Sequence, residues 1–408
     1  MARGLKGISS IRDFQLHDKV VFLRLDLNVP LDAGRITDET RIQASLPTIR
    51  YALEQKAKLV LASHLGRPKS AEDRQYSLEP VARRLSELLN VEVILVEEPG
   101  SEAVKALLAG MKRNQILLLE NLRFEKGETE NSEAFARQLA SYTDVYVNDA
   151  FGASHRAHAS IEALPALLKH KGIGFLIQKE IQMLDSLLDQ PARPYWAILG
   201  GAKVSDKIAV IEKLMDVVDG FIIGGAMAYT FLRARGKEVG SSLVEVDKLS
   251  YAREMMARLE ARGKSLLLPV DHVVATSLQG KDFKTSSSET IEAGWMGLDI
   301  GPKTRAVYRE AISRAQTIFW NGPMGVFEKP DFARGTFELA EALANNSGLK
   351  IVGGGDSAAA AEASGFADKM SHISTGGGAS LEYLQGDSLP GLEILRNKRG
   401  TPAVEGVL

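Results

Sequence analysis

An α/β protein of two domains, each a mostly parallel sheet covered by helices, is the architecture this sequence predicts. Short, almost continuously apolar β-rich runs alternate with longer helical patterns, the mark of parallel strands buried on both faces. The rhythm stops near the middle of the chain and starts again. The length of 408 residues also favours two domains, or one large one, over a single small core.

The runs can be followed in order. In the first half they are KVVFLRLD, AKLVLASH, VEVILVEE, QILLLENLRF and DVYVNDAF, which assigns residues 1–170 to one lobe. Residues 171–190 contain GIGFLIQKEIQMLDSLLDQ, where Ile177, Ile181, Leu184 and Leu188 share a helical face, and Pro191 and Pro194 stop the helix. A connecting helix is the expectation there. Residues 191–390 restart the pattern with YWAILGG, GFIIGGA, SLLLPVDHV, TIFWNGP and LKIVGGGD. Ligands of such sheets sit beyond the carboxyl ends of the strands, so the residues just after each run are the ones to search.

Composition removes several classes. There is no cysteine, hence no disulfide, thiolate metal site or cysteine nucleophile. No apolar run of about 18 residues is present, and the N-terminal stretch MARGLKGISSIRDF lacks the apolar core of a signal peptide, so a cytoplasmic protein without membrane attachment is expected. The net charge of -2 argues against a nucleic-acid partner.

In the first half, Asp26 and Asn28 come after the first run, Arg41 lies in ITDETRIQ, His64 and Arg67 come after the second run, Arg123 after the fourth and Arg156 after the fifth. One arginine of this kind is ordinarily a solvated surface residue. Placed after successive strands, several can converge on one small polyanion, because the guanidinium fork matches carboxylate and phosphate oxygens. Residues 1–170 hold 23 Lys and Arg against 23 Asp and Glu, so positive charge would be confined to a pocket that suits a small metabolite. His155 and His158 have no third ligand at metal spacing and read as structural.

The second half has the features of a nucleotide site. A glycine pair precedes Lys203 and Lys207, which are expected on one face of an opening helix, where a cation is unfavourable unless an anion is bound. Gly224 and Gly225 would let a flat ring approach the backbone, and close helix–strand packing is an equally good account. Asn321 and Glu328 flank a Gly-Pro turn, and STGGGAS makes a further glycine turn. In GGGDSAAAAEA, three glycines and a helix start form an anion cradle that Asp356 would spoil, unless that acid carries a cation or merely caps the helix. No Walker sequence is present, and although Gly353, Gly355 and Ala358 fit a dinucleotide pattern, the acid expected about 20 residues later is missing.

LRLDLNVP, SHLGRP, ENLRF, NDAFGASHRAHAS, GGAKVSDK, FWNGPMGVFE, GGGDSAAA and STGGGASLEYL, in this order across nearly the whole chain, closely resemble phosphoglycerate kinases. The resemblance implies two Rossmann-like lobes facing a cleft and joined by a hinge helix, with residues 391–408 returning to the N-terminal lobe. It implies reversible phosphoryl transfer from 1,3-bisphosphoglycerate to ADP in glycolysis, by a monomer. By motif, Asp26, Asn28, Arg41, His64, Arg67, Arg123 and Arg156 would hold 3-phosphoglycerate. Lys203, Lys207, Gly225, Gly297, Asn321, Glu328, Gly354, Gly355, Asp356 and Ser357 would hold ADP or ATP, with Asp356 on Mg2+ and Arg41 and Lys203 catalytic. Ser357 replaces the threonine more usual in that loop and keeps its hydroxyl. A nicotinamide-dependent dehydrogenase and a non-catalytic metabolite sensor are the alternatives.

Overall fold

The structure is a computed structural model that describes residues 3–112, 115–279 and 282–397. The chain forms two compact units. One runs to Gln182 and resumes at Ser388, and the other is Met183–Asp387.

The first unit contains β1 (Ser9–Ser10), β2 (Val20–Leu25), the hairpin strands β3 (Leu31–Asp32) and β4 (Arg35–Ile36), β5 (Lys58–Ala62), β6 (Glu92–Val96), β7 (Gln115–Leu119), β8 (Val145–Asp149) and β9 (Lys171–Ile173). Seven of them form a sheet in the order β1-β9-β8-β2-β5-β7-β6, and every pair in it is parallel. Five of the six residues of β2 and all five of β8 are buried, as strands covered on both faces must be. One side of the sheet packs Val21, Leu23, Leu59, Leu61, Leu118 and Val147 against Ile42, Leu46 and Ile49 of the helix Thr40–Glu54 and against Val81 and Leu85 of the helix Glu79–Leu89. Each such side chain contributes about 1.5–3 kcal/mol on full burial. Pro80 opens the second helix, and Asn90 in the left-handed region (φ 53°) ends it.

The connecting helix is Phe175–Leu188, and the boundary between the units falls within it. Ile177, Ile181 and Leu184 are fully buried as their spacing predicts, but the last buried position is Leu187, with Leu188 only half-buried.

The second unit contains β10 (Tyr195–Leu199), β11 (Gly220–Ile223), β12 (Ser265–Leu267), β13 (His272–Ala275), β14 (Phe283–Thr285), β15 (Met296–Ile300), β16 (Thr317–Asn321), β17 (Leu349–Val352) and β18 (His372–Ile373). Its main sheet, β12-β11-β10-β16-β17-β18, is again wholly parallel. The sequence did not foretell the separate antiparallel sheet β14-β13-β15. The run SLLLPVDHV, read as one strand, is two strands in different sheets, because Pro269 lies between β12 and β13 and proline has no N–H for a ladder.

Residues after Asp387 pack on the first unit. Gly391 N–H donates to Ser154 O (2.9 Å), Asn148 Nδ2 donates to Gly391 O (3.2 Å), and Arg396 Nη1 donates to Lys6 O (2.6 Å). Residues 398–408, the rest of the expected returning tail, lie outside the described residues. Among the described residues no helix is long and apolar enough to cross a membrane.

In both parallel sheets the chain builds outward to one side and then to the other. The strand order therefore reverses between β2 and β8 in the first unit and between β10 and β16 in the second. These reversals leave crevices at the carboxyl ends of the strands.

Candidate active site

At the first crevice β2 ends in Arg24 and Leu25, with Asp26 next in the chain. Asp26 is almost wholly buried, accepts from Arg41 Nη1 at 2.8 Å and from Asn28 N–H at 3.3 Å, and so ties the start of the helix Thr40–Glu54 to the end of β2. Asn28 Oδ1 accepts from Gly66 N–H at 2.8 Å, which links this loop to the turn after β5. His64 in that turn is buried, and Arg67 beyond it is exposed. Arg123, in the short helix Leu122–Phe124 after β7, donates from Nη1 to Gly66 O, while its buried Nε has no hydrogen-bond partner among the described residues. Arg156, after β8, donates from Nε to His155 Nε2 at 3.2 Å. A recess of about 950 Å3 opens beside Asn28, Arg41 and Gly66.

Positive charge dominates this crevice. Burial, then the guanidinium groups of Arg24, Arg123, Arg156 and Arg41, hold the His64 imidazole well below its ordinary pKa. Burial, then Arg156 and Arg24, brings Arg123 down to about 10, and burial with Arg123 as the next cause brings His158 down to about 4. An anion entering here would relieve a repulsion already present. His158 Nδ1 lies 3.9 Å from Glu128 Oε1, consistent with a structural histidine.

At the second crevice the strand ends carry glycine turns. Gly200 N–H donates to Asn321 O (2.9 Å) and Gly201 N–H to Pro323 O (3.1 Å), so the loops after β10 and β16 lie backbone to backbone. Lys203 is exposed and precedes the short helix Ser205–Lys207 and the helix Ile208–Leu214. The two lysines are therefore not on one helical face. The turn consumes Lys203, and the helix start is taken by Val204 and Ser205, whose N–H groups donate to the Glu245 carboxylate. Lys207 donates from Nζ to Asn321 Oδ1, and burial, the leading cause, lowers its pKa. Asn321 Nδ2 in turn donates to Gly353 O at 2.6 Å.

The stretch GGGDSAAAAEA, entered from β17, forms a turn and the helix Gly355–Ala363. The residue at the helix N-cap is Gly354, at φ +91°, where a Cβ would lie 2.6 Å from Asn321 Nδ2. Asp356 is in the first turn, exposed, and is not the capping residue, so the reading of Asp356 as a helix cap fails. Ser357 is buried, and its Oγ accepts from Gly322 N–H at 2.6 Å. A cavity of about 320 Å3 is lined by Gly201, Gly225, Tyr229, Leu243, Gly297 and Met324, with Glu328 and Asp356 also in its wall. A side chain at Gly297 would overlap the Tyr229 hydroxyl. The apolar lining suits a planar ring, and the acids in the wall give the cavity one polar side.

Several further groups in these crevices emerge from the structure. Arg24 was legible as a charge inside the apolar run KVVFLRL. Glu128, Ser160, Asn121 and Glu245 gave no signal, since their importance lies in contacts with distant segments. Asn121 receives the Leu65 and Arg123 N–H groups on Oδ1 and donates from Nδ2 to Leu65 O and Tyr76 O.

Comparison with known proteins identifies the family. The family model described as phosphoglycerate kinase matches residues 11–387. A phosphoglycerate kinase of Bdellovibrio bacteriovorus is 66% identical over 399 residues, covering 98% of this chain and 100% of the relative. One of Anaeromyxobacter dehalogenans is 54% identical, covering 95% and 99%. Among solved structures, that of phosphoglycerate kinase from Coxiella burnetii superposes with a TM-score of 0.87 at 42% identity, covering 95% of this chain and 98% of the other. With matches of this depth over nearly its whole length, the chain belongs to the phosphoglycerate kinase family and is a phosphotransferase with a carboxyl group as acceptor.

Proposed function

We propose that the first crevice holds the phosphoglycerate substrate through Asp26, Asn28, Arg41, His64, Arg67, Arg123 and Arg156. The second holds ADP or ATP through Lys203, Lys207, Gly225, Gly297, Asn321, Glu328, Gly354, Gly355, Asp356 and Ser357. The activity is that of the family: reversible transfer of a phosphoryl group from 1,3-bisphosphoglycerate to ADP, giving 3-phosphoglycerate and ATP, in glycolysis. The observation that supports this division of labour best is the convergence of Arg24, Arg41, Arg123 and Arg156 on His64, a positive field that suits a small polyanion.

The phosphoryl group in transit carries its negative charge on three equatorial oxygens, so the protein's task is alignment and fixed positive charge. Arg41, oriented by Asp26, and Lys203, exposed at the glycine turn, are the proposed catalytic cations. The Gly354–Gly355 turn and helix N-terminus would receive the nucleotide phosphates. Asp356 fits a magnesium role: it is exposed and not spent as a cap. Mg2+ is usually held by one or two carboxylates, with phosphate and water oxygens completing its shell, and when bound it would neutralise phosphate charge. We further propose a monomer acting in the cytoplasm.

Calorimetric titration of each ligand alone tests the assignment. Arg123→Ala should weaken 3-phosphoglycerate binding and leave Mg-ADP binding unchanged, and Asp356→Asn should do the reverse. A variant that weakens both ligands equally, or neither, contradicts the division.

A further inference from the structure

We propose that the buried Arg24 is a positioning residue that holds His64 in one tautomer, with its proton on Nε2, so that this histidine acts only as a hydrogen-bond donor. The inference deepens the proposed function and rests on His64 belonging to the phosphoglycerate pocket.

Arg24 is fully buried in β2, between Ala62 of β5 and Asn148 of β8. Its Nη2 lies 3.3 Å from His64 Nδ1. A guanidinium has five N–H donors, no acceptor, and keeps its charge in proteins. The contact is therefore attractive only if Nδ1 offers its lone pair. That assigns the ring proton to Nε2 and forbids the doubly protonated form, in which both nitrogens carry hydrogen.

The arginine is held in turn. Its Nε donates to Ser160 Oγ at 2.8 Å, and Ser160 donates through the same Oγ (2.6 Å) and its N–H (2.9 Å) to the buried Glu128 carboxylate. Glu128 Oε1 is 3.9 Å from Arg24 Nη2 and supplies the counter-charge that a buried arginine requires. Tyr146 O–H donates to Ser160 O at 2.7 Å and fixes the far side. This network gives the buried charge in the sheet a purpose: it aims one guanidinium at one imidazole nitrogen.

Every element around the ring reinforces the neutral form. Arg24 acts from β2, Arg41 from the helix Thr40–Glu54, Arg123 from the turn after β7 and Arg156 from the loop after β8. The acids in the region are engaged elsewhere, Glu128 with Ser160 and Arg24, and Asp26 with Arg41. A donor-only histidine recognises an oxygen acceptor, and it can neither withdraw a proton from the substrate hydroxyl nor acquire charge as pH falls.

Nitrogen NMR of the full-length chain without substrate tests the tautomer, with His64→Gln used only to assign the signal among the seven histidines. The expected result is a pyridine-type Nδ1 and a pyrrole-type Nε2, unchanged between about pH 5 and pH 8. A pyrrole-type Nδ1, or an ordinary titration with a midpoint of about 6.5, overturns the proposal. The variant Arg24→Met with Glu128→Gln removes both buried charges together. In it His64 should populate both tautomers and titrate, and KM for 3-phosphoglycerate should become pH-dependent and rise about twofold to tenfold, with kcat changed less. If the double variant does not fold, the wild-type spectrum still decides. A correct tautomer whose signal does not shift on adding 3-phosphoglycerate would instead count against the pocket assignment, which separates the two failures.

Discussion

Gly225→Ala adds a single methyl group at a point where the structure leaves no space for one. Gly225 sits at φ +64°, in the left-handed region, and an L-residue there costs about 1–2 kcal/mol. Its new Cβ would lie 2.5 Å from both N and O of Gly201 and 3.0 Å from Pro323 O. All three are backbone atoms of the turns after β10 and β16, so no side chain can rotate away, and overpacking of this kind adds about 1–3 kcal/mol. The sum is about 2–5 kcal/mol. Gly236→Ala is the control, since it has φ +80° but nothing within 4 Å of the added carbon, and only the backbone cost of about 1–2 kcal/mol applies. Urea unfolding read on the transition of the second unit measures both, because the two units need not unfold together. Calorimetry with ADP measures the cavity, whose wall includes Gly225 and Gly201. The expected outcome is a larger stability loss and an ADP affinity at least about tenfold weaker for Gly225→Ala, with ADP binding unchanged in Gly236→Ala. Equal losses of stability, or unimpaired ADP binding by Gly225→Ala, would refute the steric reasoning.

Further predictions concern the charged groups. Asp356→Asn should leave the melting temperature unchanged, since Gly354 rather than Asp356 occupies the cap, while raising the Mg2+ concentration needed for half-maximal activity by about tenfold or more. An unchanged magnesium titration with unchanged turnover would rule out the metal role. Arg41→Ala and Lys203→Ala should each lower kcat by on the order of a hundredfold, the usual loss of one donor to transition-state charge, and steady-state kinetics would show it. Asp149, which accepts from Thr48 Oγ1 and from Ile177 N–H at the start of the connecting helix, is pushed up to about 7 by burial. Its folded pKa exceeds the unfolded value near 3.9, so the native state holds the extra proton between the two. Its contribution to stability falls as pH rises from about 4 to about 7. His158, lowered to about 4, acts in the opposite direction over much of that range. The measurable quantity is thus the change on Asp149→Asn: denaturation midpoints of the variant should decline less from about pH 4 to about pH 7 than those of the wild type.

The sequence by itself determined the class of fold, the family and the stations where chemistry could occur. Continuous apolar runs such as VVFL and QILLL, alternating with longer helical patterns, read as strands covered on both faces, and the residues just past a parallel strand lie at one edge of its sheet, so His64, Arg123 and Lys203 were nameable from local order alone. Contacts between segments far apart in the chain were another matter. That Asp26 orients Arg41, that Lys203 lies in a turn while Lys207 bonds Asn321, and that Gly354 rather than Asp356 is the helix cap depend on which loops meet. The proline that divides SLLLPVDHV was visible, but its consequence, a separate antiparallel sheet, was not, because strand partners are selected by packing across the whole unit. Arg24 shows the limit most plainly. A charge within a buried strand is costly until Glu128, 104 positions away, and Ser160, 136 away, complete its bonds, and only tertiary structure brings those three residues together.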